Sequence, residues 1–175
     1  LAVVANSVAI IMTRVEKIGR PPGIDTDNLI FVQSYGFGPN YDQRSTIDND
    51  VRLIRALPGV VSASSINGIP LSGGGSATNL GPTAQREKQT INTNYYTVDE
   101  HGMDSLGLRL VEGRNFTQTE IEFNPDPAGS QFAHFAIITR DTARALFRDE
   151  HAVGKTIYQG AEDPAVVIWD MEDMI

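Results

Sequence analysis

The sequence predicts an α+β fold, and three observations carry that expectation. Short apolar runs with strand character alternate with stretches of helical apolar spacing, as strand, helix, strand in 28–66, again in 88–111, and in related form from 135 onward. Clusters of Gly and Pro separate these segments at the places where a chain must turn. The composition is that of an ordinary globular protein: 175 residues, 41% hydrophobic and 21% charged, with 16 Gly and 9 Pro.

The first element is a helix with one continuous apolar face, because Val4, Val8, Ile11, Val15 and Ile18 recur at alternating spacings of four and three. Residues 1–12 are apolar apart from Asn6 and Ser7. At about 1.5 Å per residue they reach about 18 Å, short of a hydrocarbon core of about 30 Å. No basic residue precedes the run and charge enters only at Arg14, Glu16 and Lys17, which is not the layout of a secretory signal. Two readings stay open on periodicity: the end of a longer hydrophobic segment, or a surface helix laying its stripe on the core. Pro21 and Pro22 then end it.

Residues 28–35 (NLIFVQSY) are a strand candidate, and Ile47, Val51, Ile54 and Leu57 place a helix over 45–57. Thr46 with Asp48 and Asp50 puts negative charge in its expected first turn, and Pro58-Gly59 closes it before a second strand at 60–66. The run Ser72-Gly73-Gly74-Gly75-Ser76 is the most flexible stretch and marks a hinge or a tip. A strand over 88–98, a short helix over 99–106 and a strand over 108–111 form the second unit. The polar stretch 117–131, with Pro125, Pro127 and Gly129, reads as a loop and a boundary. Strand 135–138, helix 140–147, strand 153–158 and a buried strand within 164–169 complete the chain, which ends in the acidic run DMEDMI.

Chemistry is sparse. Fourteen Lys and Arg against 22 Asp and Glu give a net charge of −8, the wrong sign for tracking a phosphate backbone, so nucleic acid is not expected as a partner. The absence of Cys removes disulfides, thiolate metal sites and Cys nucleophiles. His101, His134 and His151 do not stand at a helical metal-pair spacing. Val153-Gly154-Lys155-Thr156 imitates the end of a phosphate-binding loop, yet Asp149 stands where that pattern needs Gly, and Gly36-x-Gly38 does not continue as a dinucleotide fingerprint. Ser72, Ser76 and Ser130 are nucleophile candidates by residue type alone. His101 has Asp99, Glu100 and Asp104 nearby, with exposed helix surface the plainer reading, and Asn115-Phe116-Thr117 is a chance-level glycosylation triplet. The acids from Glu162 to Asp173 read as a solvated rim. No catalytic, cofactor or metal residue is assigned; the candidate hinge or partner-contact loop is Gly73, Gly74 and Gly75.

In this order the segments resemble the extracytoplasmic domain of MacB/FtsX-type ABC transporter permeases. The likeness rests on RVEKIGRPPGIDTDNLIFV at 14–32, LPGVVSAS at 57–64 with IPLSGGGS at 69–76, LGLRLVEGRNF at 106–116, and IITRDTARALFRDEHAVGKTIY at 137–158. It implies three parts: 1–19, the membrane-exit end of a first transmembrane helix; 25–116, a porter-like subdomain of strand-helix-strand repeats in a layered sandwich; and 117–175, a second, smaller and mobile α/β lobe whose last strand can return to the first. The ending VVIWDMEDMI departs from the family pattern of a return into a membrane stalk.

The resemblance further implies a domain on the periplasmic or extracellular side of a bacterial inner membrane, with no enzymatic activity of its own. ATP hydrolysis would belong to a cytoplasmic ATP-binding subunit. A second permease subunit, the membrane through the N-terminal helix and, where the assembly carries one, a periplasmic adaptor would be the other partners. The expected role is mechanotransmission, coupling ATP-driven motion of the transmembrane helices to substrate export or to signalling. Two other readings are an extracytoplasmic ligand-binding or sensory module, and a secreted hydrolase using Ser130 or His101.

Overall fold

A computed structural model describes residues 2–19, 23–38, 40–70, 72, 75–122, 133–148, 151–159 and 163–171. Helix α1 (Ala2–Ile18) is followed by α2 (Gln43–Arg55), β1 (Ser76–Gly81), β2 (Ile91–Tyr95), α3 (Gly102–Leu106), β3 (Leu110–Gly113), β4 (Phe135–Thr139), α4 (Arg140–Phe147), β5 (Thr156–Gln159) and β6 (Asp163–Met171). The fold is α+β, as the alternating pattern predicts.

The six strands form one sheet in the order β2-β1-β5-β6-β3, with β4 also pairing to β6. All pairings are antiparallel except β4 with β6, which run parallel. That pair is linked by a crossover through α4 and β5, as parallel neighbours require. The strand-helix-strand order of 88–111 is present as β2, α3, β3, yet its two strands lie at opposite ends of the sheet path. Strands from 76–113 and from 135–171 are thus hydrogen-bonded into the same sheet, through β1 with β5 and β3 with β6. Of the predicted boundary loop, 123–131 lies outside the described residues.

Successive side chains of β4 serve opposite faces, as the pleat demands. Ala136 and Ile138 join Leu80, Ala143, Leu146, Ala152, Ile157, Ala165 and Val167 under α4, whereas Phe135 and Ile137 pack with Leu108, Leu110 and Phe116 around Met103 of α3. Ile157 and Val167 have no exposed surface and mark the centre of the first cluster. Helix α4 forms where expected because Thr139 caps it, its hydroxyl accepting the Thr142 N–H at 3.2 Å, while Ala143 and Leu146 face the sheet.

Several expectations need correction. Residues 28–35 form no described strand: they are irregular, and Ile30 is 88% exposed. Residues 60–66 likewise lack a ladder apart from one antiparallel bridge, Ile66 to Val98. Apolar, β-branched sequence favours a strand but does not supply the neighbouring backbone that makes one. The strand expected over 88–98 is confined to 91–95, because Arg86–Lys88 turns as a 3-10 helix and Gln89 folds inward against Gly81. Strand β1, made of Ser, Ala, Thr, Asn, Leu and Gly, carries a weak local signal and exists through its pairing on both sides. Helix α2 starts before Thr46: Asp42 is its N-cap, so Asp48 and Asp50 fall beyond the first turn. Strand β6 extends through Asp170 and Met171, making part of the acidic ending sheet.

Candidate functional site

The predicted contact loop has a fixed base. Val98 pairs with Ile66, and the Thr97 N–H donates to the Asn67 side-chain oxygen at 2.9 Å. At the far end Gly75 runs directly into β1 with φ +142°, a conformation open to glycine. Its Cα lies 3.5 Å from the position a side chain at Gly68 would take, so the outgoing and returning backbones are close together. Gly73 and Gly74 lie outside the described residues. Ser72 is described, and its hydroxyl donates to the Ile69 carbonyl at 2.8 Å.

Behind this base, α2 is tied to the elements that follow it. The Arg55 guanidinium donates to the Ala63 carbonyl at 2.7 Å and to the Asp99 carboxylate at 3.0 Å. The other oxygen of Asp99 accepts the His101 N–H at 2.9 Å, and the hydroxyls of Ser62 and Ser105 lie 2.9 Å apart. Residues 62–65, beside the loop base, are therefore held between α2 and α3. Sequence reading missed this arrangement, since Arg55 and Asp99 are 44 positions apart with nothing local to link them.

The remaining candidates are dispersed. Ser76 begins β1, and Ser130 lies outside the described residues. The imidazole of His101 stands 3.7 Å from the Glu100 carboxylate, while Asp99 is committed to Arg55, and no group of three or more metal-ligating side chains occurs among the described residues. Gly154 and Lys155 make backbone bonds with Val167 at 2.7 and 2.8 Å, and the Lys155 ammonium lies 4.8 Å from the centre of the Phe147 ring. That segment is a turn into β5. Asn115 uses its side chain locally, donating to the Glu100 carbonyl and accepting the Phe116 N–H, both at 2.8 Å. The side chains of the acidic ending lie outside the described residues.

A second feature was not foreseen as a site. Between residues 37–38 and 40–42 on one side and the first two turns of α2 on the other lies an open cleft of about 460 Å³. Its rim includes Phe37, 88% exposed, and Tyr41, whose ring end occupies the space a side chain at Gly36 would need. At its floor the Asp42 carboxylate accepts the Ser45 hydroxyl at 2.7 Å and the Ser45 N–H at 3.3 Å; the bond from the hydroxyl, above all, holds its pKa below the usual carboxylate value. The Gly36-x-Gly38 spacing is the one sequence feature that touches it.

Helix α1 stands apart from both. Each of its residues with a described side chain is exposed, including Val3, Val4, Val8, Ile10, Ile11, Met12, Val15 and Ile18. Among the described residues, its apolar stripe is left uncovered. No helix among the described residues is long and apolar enough to cross a membrane.

With sheet, tethered loop and free-standing apolar helix in place, the comparison with known families is decisive: the MacB-like periplasmic core domain matches residues 1–168. The chain belongs to that family. Two of the solved structures that it resembles show low identity. The periplasmic region of MacB from Actinobacillus actinomycetemcomitans shares 18% identity over 73% of this chain and 50% of its own, with a TM-score of 0.47. The extracellular domain of the noncanonic ABC-type transporter YknZ from Gram-positive bacteria shares 19% over 73% of this chain and 57% of its own, with a TM-score of 0.46. The chain therefore spans about half the length of these structures. No curated protein matches the sequence.

Proposed function

We propose that this periplasmic core domain is the extracytoplasmic part of an ABC transporter permease in a bacterial inner membrane, and that it transmits movement of the membrane helices to a substrate or to a partner protein. The observation that carries the reading is the exposed apolar helix α1, whose stripe the other described residues leave uncovered. Its 17 residues reach about 25 Å, and Arg14 near its end marks the approach to the aqueous side. In this reading α1 is the membrane-exit end of the first transmembrane helix. ATP hydrolysis resides on a cytoplasmic subunit, and a second permease subunit completes the pair. A periplasmic adaptor is a further partner where the assembly carries one.

The domain itself is not an enzyme in this reading. The loop containing Gly73, Gly74 and Gly75 is its contact point, with movement passed from α1 to the part of the chain held between α2 and α3. The experiment is fractionation of the full-length permease that carries this domain, with protease added to intact spheroplasts. We expect it to remain in carbonate-washed membranes and this domain to be cut from outside. A protein in the soluble fraction, or a domain protected from external protease, would overturn the reading.

A further inference from the structure

From 29 to 41 the chain carries no charged residue, yet it presents large rings to solvent, with Tyr35 69% and Phe37 88% exposed. Exposed rings on an uncharged stretch give this face an apolar character. Phe37 and Tyr41 border the cleft beside α2, and its volume lies within the range of small-molecule sites, roughly 300–1,000 Å³.

The walls restrict what could enter. No Lys or Arg is among the described residues that line the cleft, and the Asp42 carboxylate caps the first turn of α2 through the Ser45 N–H, so an anion would meet a negative charge and no cation. A metal cation would meet this single carboxylate, fewer ligands than stable coordination needs. A wholly apolar ligand would leave the polar wall unpaired. Beside that carboxylate the hydrogen-bonding groups are neutral: the Asn40 amide, the Asn49 NH₂ group, whose partner oxygen accepts Arg52 at 3.0 Å, and the Thr46 hydroxyl oxygen, whose hydrogen goes to the Asp42 carbonyl at 2.7 Å.

An apolar ring platform facing neutral amides and hydroxyls matches a molecule with one C–H face and an edge of hydroxyl or acetamido groups. We propose that the cleft beside the first two turns of α2 binds a neutral saccharide, with Phe37 and Tyr41 as the platform and Asn40, Thr46 and Asn49 bonding to its polar edge. This site does not depend on the transport reading.

The test uses the full chain, titrated with chitotriose and separately with maltotriose while backbone NMR shifts are followed. Saturable shifts confined to 36–49 are expected for at least one sugar. Phe37→Ala should weaken binding about tenfold, since stacked aromatic contacts are worth about 0.5–1.5 kcal/mol. Asn49→Ala should weaken it severalfold. Val61→Ala, at a fully exposed residue outside the cleft, should leave it unchanged. Phe37 is not part of either core cluster, so an unaltered melting curve will show that its variant is folded. The proposal falls if neither sugar shifts these resonances at millimolar concentration. It falls equally if binding survives both cleft variants, or if an apolar peptide saturates the cleft while the sugars do not.

Discussion

Ile157 sits on β5 between β1 and β6 with no exposed surface, whereas Val61, an equally apolar β-branched residue, is wholly exposed. Replacing each with Ala is therefore a direct measure of where this chain keeps its core. Ile157→Ala removes three buried carbons, which at about 0.8 kcal/mol each gives roughly 2.4 kcal/mol of transfer free energy. The cavity left among Leu80, Leu146 and Val167 raises the expected loss to about 3–4 kcal/mol. Val61→Ala should change stability by less than about 0.5 kcal/mol. Urea unfolding reads both, and with m-values of about 1–3 kcal/mol per molar the Ile157→Ala midpoint should fall by about 1–3 M at unchanged slope. Trp169, the sole tryptophan, lies on β6, so its fluorescence reports the sheet directly. Far-UV circular dichroism and fluorescence should move together, because strands from both halves of the chain share that sheet. If Ile157→Ala costs no more than Val61→Ala, β5 is not the central strand and the core is wrongly placed.

Two further outcomes follow from local geometry. A methyl group at Gly81 would lie 2.8 Å from the Lys88 carbonyl oxygen and 2.9 Å from Gln89 Cα, both of them backbone, so Gly81→Ala should cost about 1–3 kcal/mol in the same urea assay, and a neutral result would refute the close approach. Glu120 is held down to about 2 by its hydrogen bonds to the Arg114 guanidinium, one of them 2.7 Å, with the Thr117 N–H adding to the effect. Because the folded value lies below the ordinary 4.5, its contribution is complete above about pH 4.5 and disappears as pH falls toward 2. Carboxyl-carbon NMR titration should find Glu120 ionised at pH 3.5 in the wild type and moved toward 4.5 in Arg114→Gln; an unmoved midpoint would discard the pair as its cause.

What was legible in the sequence was whatever short-range physics decides. Helix α4 could be placed to the residue because its cap, Thr139, and its core-facing pair, Ala143 and Leu146, lie within eight positions of one another. Helix α1 was equally plain, because its apolar repeat lies within one continuous stretch of chain. Strands behave differently. The run NLIFVQSY has every local mark of a strand and is not one here, while SATNLG has few and pairs on both sides. The difference lies in Gln89, Ile91 and Tyr158, the distant residues that meet or fail to meet each segment.

The same reasoning explains the uneven legibility of the candidate sites. A glycine run announces a loop by composition; of its three glycines Gly75 is described, with φ +142°. The cleft announces nothing, since it arises where an uncharged turn folds back on the first turns of α2 and its hydrogen-bonding groups are common side chains. Its chemistry depends on Asn40, Asp42, Thr46, Asn49 and two rings being brought together, which no local pattern states. The link from α2 to α3 is similar: Arg55 and Asp99 are unremarkable surface residues in one dimension and become a tie once folding brings them to 3.0 Å. Such ties leave no mark in local sequence, because each partner is an ordinary side chain until the fold brings the other to it.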